Sequence, residues 1–341
     1  MTLDLAAANL LSPPILCFAL GAFAVLLRSD LKLPEPVFAA LSIYLMLAIG
    51  LRGGAELGEQ PFAVIAAPMA GALLLGAAIP LWCYALLRRW AGLGVADAAA
   101  LAAHYGSVSA VTFAAVTSIL DQRGVAYEGY APALLAVMEV PGIVVAIGLA
   151  GVASVARRAI EVNAGAAALI GGPATTGAGA GVGSVLAEVL SSKSVLLLAG
   201  GLAIGLLAGP ERLAPVKPLF TDLFPGILCL FLLELGRMAA THAGAFRKVG
   251  VRLVAFAVAM PVLHAALGVA VAAAAGLTAG GALILATLAA SASYIAAPAA
   301  VRLALPEASP GLYLTCALAI TFPFNLVIGI PLYGAMVAAV Y

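Results

Sequence analysis

Along the chain, apolar residues run in long blocks, and polar residues gather in the short stretches between them. A hydrocarbon core about 30 Å thick is crossed by roughly 20 apolar residues in a helix. Ten blocks approach that length and predict spans at 11–27, 36–51, 62–87, 96–120, 129–155, 186–208, 219–240, 251–277, 280–303 and 311–340. The long interval between the fifth and sixth holds the run GGPATTGAGAGVG. Such a composition does not build a packed element, so 156–185 is expected to be a flexible linker, either a plain spacer or a docking site. The first block is not read as a signal peptide, because residues 1–9 carry no Lys or Arg and many more blocks follow. The expected class is an all-α polytopic membrane protein.

Composition agrees with the pattern. Hydrophobic residues make up 65% of the 341 and charged residues 9%, whereas a soluble domain is about a quarter charged. A net charge of +1 argues against nucleic acid, which calls for a basic face. Cys17, Cys83, Cys229 and Cys316 sit inside apolar blocks at wide spacing, unlike the close pairs of a zinc site. The chain has no G-x-x-x-x-G-K-[ST] to bind ATP and no H-E-x-x-H, and its G-S-V-S-A is not a G-x-S-x-G elbow. A transporter is therefore expected rather than an enzyme, with no organic cofactor. Lys and Arg concentrate on the cytoplasmic side of membrane proteins. With both termini outside, only Arg52, Arg123, Arg212 and Lys217 of the sixteen basic residues face outward.

Self-similarity then suggests how the spans are arranged. LAAHYGSVSAVTFAA from Leu101 aligns with LATLAASASYIAAPA from Leu285, placing Ser107 on Ser291 and Ser109 on Ser293 at an offset of 184. Pro141 falls on Pro323 at an offset of 182, and Gly50 on Gly236 at 186. Five spans per half is an odd number, so the halves run in opposite directions. The expectation is a first repeat over 1–155, a cytoplasmic Gly-rich linker over 156–185, and a second, inverted repeat over 186–341, a plan common among secondary transporters.

The fourth and ninth spans carry the most polar stretches at hydrocarbon depth: His104 to Ser109 with Thr112, and Ser291 to Tyr294 followed by Pro298. Gly106 and the serine pairs supply a flexible point and hydroxyls able to cap a new helix start, so both spans are expected to be broken. Two half-helix N-termini meeting at the midplane would hold a small anion without Arg or Lys, and freed carbonyls with Ser and Thr hydroxyls suit Na⁺. Alternatively, these serines bond back to the preceding turn or join neighbouring helices. Glu139, inside the fifth span before Pro141, either belongs to a cation site or braces the break, since a charge at that depth is costly. Glu234 and Arg237 read as a local pair, His104 and His264 as packing residues, and Asn325 as either packing or site.

These segments resemble the sodium-dependent bicarbonate transporter family, best known from SbtA-type proteins of cyanobacteria. The resemblance rests on SPPILCFALGAFAVLLRSDLKLPEP, IGLRGGAEL, GSVSAVTFAA, YEGYAPALLAVMEVPGIV and ASASYIAAPAAVRLALPEASPGLY. It implies a homotrimer in the bacterial inner (plasma) membrane, each protomer moving a core against a scaffold as an elevator. It further implies Na⁺-coupled uptake of bicarbonate, another small anion such as a short carboxylate being the alternative, or anion sensing without transport. The implied substrate site is Gly106, Ser107, Val108, Ser109, Ser293, Tyr294, Ile295 and Ala296, with Na⁺ held among Ser107, Thr112, Glu139, Ser291 and Ser293. A PII-like regulator on the cytoplasmic side is a further implied partner. One departure stands out: cyanobacterial members carry an acidic residue after the second serine pair, where this chain has Tyr294-Ile295-Ala296-Ala297-Pro298.

Overall fold

A computed structural model describes residues 11–165, 187, 190–243 and 249–341. The helices are α1 (Pro13–Leu26), α2 (Glu35–Gly58), α3 (Phe62–Arg89), α4 (Val95–Gly106), α5 (Ala110–Gln122), α6 (Ala131–Gly165), α7 (Lys193–Leu213), α8 (Phe224–Ala243), α9 (Val251–Ala274), α10 (Ala279–Ala290), α11 (Ala297–Ala304) and α12 (Pro310–Ala338). Among the described residues, eight helical segments are long and apolar enough to cross a membrane, counting α4 and α5 as one; α1 and α10 are apolar but shorter. Proline starts several helices, at Pro13, Pro36, Pro298 and Pro310, where its missing N–H would have no intrahelical partner anyway.

Several elements differ from the sequence expectation, among them the sixth span, expected over 186–208 and found as Lys193–Leu213. Helix α2 runs on to Gly58 rather than stopping at Leu51, because Gly53 and Gly54 let Pro132 and the backbone of Leu202 come close. Helix α6 continues through 156–165, so the first third of the expected linker is helical; its Ala-Arg-Arg-Ala run favours helix. The rest of that linker through 185, with the Gly-rich run, lies outside the described residues, as do Arg247 and Lys248. Helix α12 is not uniform but contains π-helical turns at Thr315–Thr321 and Asn325–Gly329.

Packing sorts the helices by burial. Helix α3 exposes Leu73, Leu74 and Leu81, as an apolar face turned to lipid does, whereas the segment Val95–Gln122 containing α4 and α5 is buried throughout its apolar window. Small residues set the tightest pairs. Gly21 and Gly236 bring α1 against α8, and Gly50, Gly54, Gly201 and Gly205 bring α2 against α7, since without a hydrophobic drive between helices in lipid, close backbone approach must supply the contact. Helix α3 packs on α4 and α6, and α9 on α10 and α12. Two carboxylates tie helix starts across the protein: Glu128 accepts from the Thr278 N–H (2.6 Å) and Asp97 from the Ser309 N–H (2.8 Å).

A Cβ on Gly236 would collide with the carbonyl of Phe18, whereas one on Gly226 of the same helix meets nothing. Gly236→Ala should therefore cost about 1–3 kcal/mol, seen in detergent as a thermal midpoint several degrees below that of Gly226→Ala. Equal midpoints would show that this approach does not hold α1 to α8.

Candidate functional site

Helix α4 ends at Gly106, and the chain runs extended through Ser107 and Ser109 before α5 begins at Ala110. Ser109 caps α5, its Oγ accepting from the Thr112 N–H at 3.1 Å, one of the first-turn donors a helix leaves unpaired. Helix α10 ends at Ala290, and α11 resumes only at Ala297. There the Ser293 Oγ accepts from the Ala297 N–H at 3.2 Å, and Pro298 occupies the first turn of α11.

The two breaks pair with each other. The Ser293 N–H donates to the His104 carbonyl (2.7 Å), and the Ser109 N–H donates to the Ser291 Oγ (2.9 Å). Ser291 also donates to the Leu288 carbonyl at 2.7 Å, so one of the two sequence readings, bonding back to the preceding turn, holds for this serine alongside its bond across the breaks. The Ser107 hydroxyl donates to the Glu139 carbonyl at 3.0 Å and so ties the first break to α6. Where α3, α4 and α6 meet, Pro80, Gly106 and Gly142 allow the backbones together: a Cβ on Gly142 would overlap the Gly106 carbonyl and the Ser107 nitrogen.

A small cavity of about 10 Å³ lies at this junction, lined by Val108, Ser109 and Ala110 from the first break, Ser293 to Ala296 from the second, and Glu139 and Met46. That is room for roughly one water-sized group. Helix N–H groups point toward the helix start, so the starts of α5 and α11 present theirs from two directions. No Lys or Arg lines it. Tyr294 is buried with its ring edge against Phe322, and its hydroxyl accepts from Ser109 at 3.2 Å. Glu139 is 4% exposed.

Of the residues singled out from sequence, Val108, Ser109, Ser293, Tyr294, Ile295, Ala296 and Glu139 line this cavity. Ser107 and Ser291 stand behind it in the hydrogen bonds joining the breaks, Gly106 forms the close approach to Gly142, and Thr112 offers its backbone N–H to the Ser109 cap. His104 bonds the Ala100 carbonyl and packs its ring, tilted by 30°, against Tyr313, and His264 accepts from the Trp82 indole. Arg237 holds Glu234, which also accepts from the Leu33 N–H.

A polar layer behind the cavity joins Asn325, which sequence reading leaves between packing and site, to Thr321 and Tyr333, which it does not single out. Asn325, inside a π-helical turn, donates to the Ala290 carbonyl (2.9 Å) at the end of α10 and accepts from the Tyr333 hydroxyl (2.7 Å). Thr321 bonds Tyr105 at 2.6 Å and donates to the Ala257 carbonyl at 2.7 Å. A usable signal existed for Thr321, because the offset of 182 that matches the two prolines also places it opposite Glu139.

The family model described as the Na⁺-dependent bicarbonate transporter superfamily matches residues 13–338. No match is found among curated proteins.

Gly142→Ala should force Ser107 away from α6 and abolish substrate binding while the protein stays folded. Asn325→Ala should leave the buried Ala290 carbonyl without its partner and cost about 1–3 kcal/mol. Substrate titration of the first variant and thermal unfolding of the second measure both effects; wild-type binding by Gly142→Ala would contradict the geometry.

Proposed function

We propose, starting from the fact that this chain belongs to the Na⁺-dependent bicarbonate transporter superfamily, that it takes up bicarbonate together with Na⁺ as a secondary transporter and binds both at the two facing breaks. One observation carries the reading: the starts of α5 and α11 converge on one small cavity that also holds a carboxylate and has no Lys or Arg, and that opens from its about 10 Å³ as the breaks part to admit the anion and Na⁺. An anion there is held by backbone N–H groups and hydroxyls, but it would share a buried site with Glu139. In a low-dielectric interior two negative charges repel strongly, and Na⁺ between them removes that conflict. The donors we assign to it are the oxygens of Glu139 and Ser293, which line the cavity, and those of Ser107, Thr112 and Ser291, which stand behind it and reach it as the breaks open. Empty and doubly loaded carriers then move; half-loaded ones bear an uncompensated charge.

We further propose ten spans in two inverted repeats. The pairing of α1 with α8 and of α2 with α7, through symmetry-related glycines Gly50 and Gly236, supports this arrangement. In it α1, α2, α7 and α8 form the scaffold, and the remaining helices form the core that carries both breaks and slides as an elevator. The resemblance carries the further proposals of a homotrimer, the bacterial inner membrane and a PII-like partner, and the distribution of Lys and Arg carries that of outward termini. A second reading is favoured by Tyr294: a phenol where the family's cyanobacterial members carry an acid fits a short carboxylate anion on the same scaffold.

Uptake of radiolabelled bicarbonate into proteoliposomes, with and without an inward Na⁺ gradient, tests the proposal. Saturable accumulation that needs Na⁺ is expected, with competing carboxylates separating the two substrates. Ser107→Ala or Ser291→Ala should weaken substrate binding about tenfold, the loss of one or two hydrogen bonds, without disturbing assembly. Normal uptake in both variants would remove these residues from the site.

A further inference from the structure

Two further cavities lie on the opposite side of Met46 from the loop that joins α1 to α2. The larger, about 490 Å³, is lined by Arg52, Glu56, Lys217 and Thr221 against an apolar wall that includes Leu51 and Leu213. Its far side exists because α7 bends at Gly209, whose φ of +70° suits glycine, and the chain then runs through Pro210 to the short turns at Ala214–Val216 and Pro218–Asp222. The smaller, about 30 Å³, shares Ala48, Arg52, Phe220 and Thr221 with it and adds Phe113 and Thr117 of α5.

Together with the central cavity they form a string along one seam. On α2 the lining advances from Met46 to Ala48 and then Arg52, and on α5 from Ala110 to Phe113 and then Thr117. At 1.5 Å per residue, Arg52 stands roughly 9 Å along α2 from the central cavity. Between them the seam is closed by Phe113 and Ile49, 3% and 4% exposed.

Arg52 is held loosely: it meets Asp121 at the end of α5 at 3.4 Å, with both side chains about half exposed, and lies beside Tyr127, whose hydroxyl donates to Asp121 at 2.9 Å. Burial raises the Tyr127 phenol above its ordinary value, which keeps it a donor to Asp121. A guanidinium has five N–H donors, more than Asp121 and Tyr127 take up, so capacity remains for an oxyanion. Glu56 also faces the cavity, and Asp121 and Glu56 together moderate the field of Arg52 and Lys217. A conduction path needs that balance, favourable enough to enter and weak enough to leave.

We propose that this seam between α2 and α5 is the outer passage for the transported oxyanion, with Arg52 as its first contact and Lys217 as an accessory cation. The inference rests on the breaks being the binding site, as proposed above. Its test uses a separate readout, the reaction of Thr221→Cys with two thiol reagents of similar size, one an anionic sulfonate and one a quaternary ammonium, measured above the rate of the parent chain. Adding Arg52→Gln should lower the ratio of anionic to cationic rates roughly fivefold, the effect of losing one unit charge within a Debye length on probes of opposite sign. Arg52→Lys should keep the ratio and Lys217→Gln should lower it less. In transport assays the Arg52→Gln loss should fall on KM. An unchanged reagent ratio in Arg52→Gln and Lys217→Gln, or a loss confined to kcat, overturns the passage. If the wild-type chain accumulates no bicarbonate, the transport reading fails instead, and the reagent ratios still decide this one.

Discussion

Backbone N–H and C=O groups in hydrocarbon have no water to turn to, and an unmatched one costs several kcal/mol. A helix interrupted at that depth is tolerated only where the protein itself replaces the lost bonds. Here the two interruptions do so for each other: Ser293 reaches the His104 carbonyl, and Ser109 reaches the Ser291 hydroxyl. Neighbours supply further bonds, Asn325 covering the Ala290 carbonyl at the end of α10 and the Glu139 carbonyl of α6 taking the Ser107 hydroxyl. Burial of α4–α5 throughout its apolar window follows from that need, because every side of the break must face protein.

Close approach makes the mutual repair possible. Pro80, Gly106 and Gly142 bring three helices to one point, so that the hydroxyl of Ser107 is within reach of α6. Pro80, inside α3, has no N–H to give the Gly76 carbonyl, so α3 loses one ladder bond at the same point. The two breaks are not equal. The first is three residues long and is braced from α6, whereas the second runs from Ser291 to Ala296 and leans on Asn325 and Tyr333 from α12. A longer, less constrained loop beside Tyr294 gives the second break more freedom to adjust to an anion, and the first the more fixed geometry.

The charges of this protein sit where they can be balanced. Glu234 holds Arg237 and the Leu33 N–H, Asp97 and Glu128 hold helix starts, and Arg52 meets Asp121 at a hydrated end. Glu139 differs from these in lining the central cavity, where a cation and an anion bound together would leave the least net charge in the low-dielectric interior.

Sequence alone determined what depends on residues near one another in the chain. Long apolar blocks fixed where most helices lie, because the bilayer imposes one length and one polarity on every crossing. Gly106 with the flanking serines located the first break, and Ser109 was legible as a cap because capping chemistry reaches only three residues ahead. The extension of α2 to Gly58, the helical turns at 156–165, the π-helical turns of α12 and the six-residue length of the second break were not legible in this way, although helix propensity already favoured 156–165. The others depend on which surface arrives alongside: Leu202 beside Gly54, or the Ala290 carbonyl beside Asn325. Tertiary structure likewise decided that Ser107 and Ser291 stand behind the cavity while Ser109 and Ser293 line it. Serines two apart along an extended strand face opposite ways only in part, and the choice between them rests on hydrogen bonds to partners some 30 to 180 residues distant.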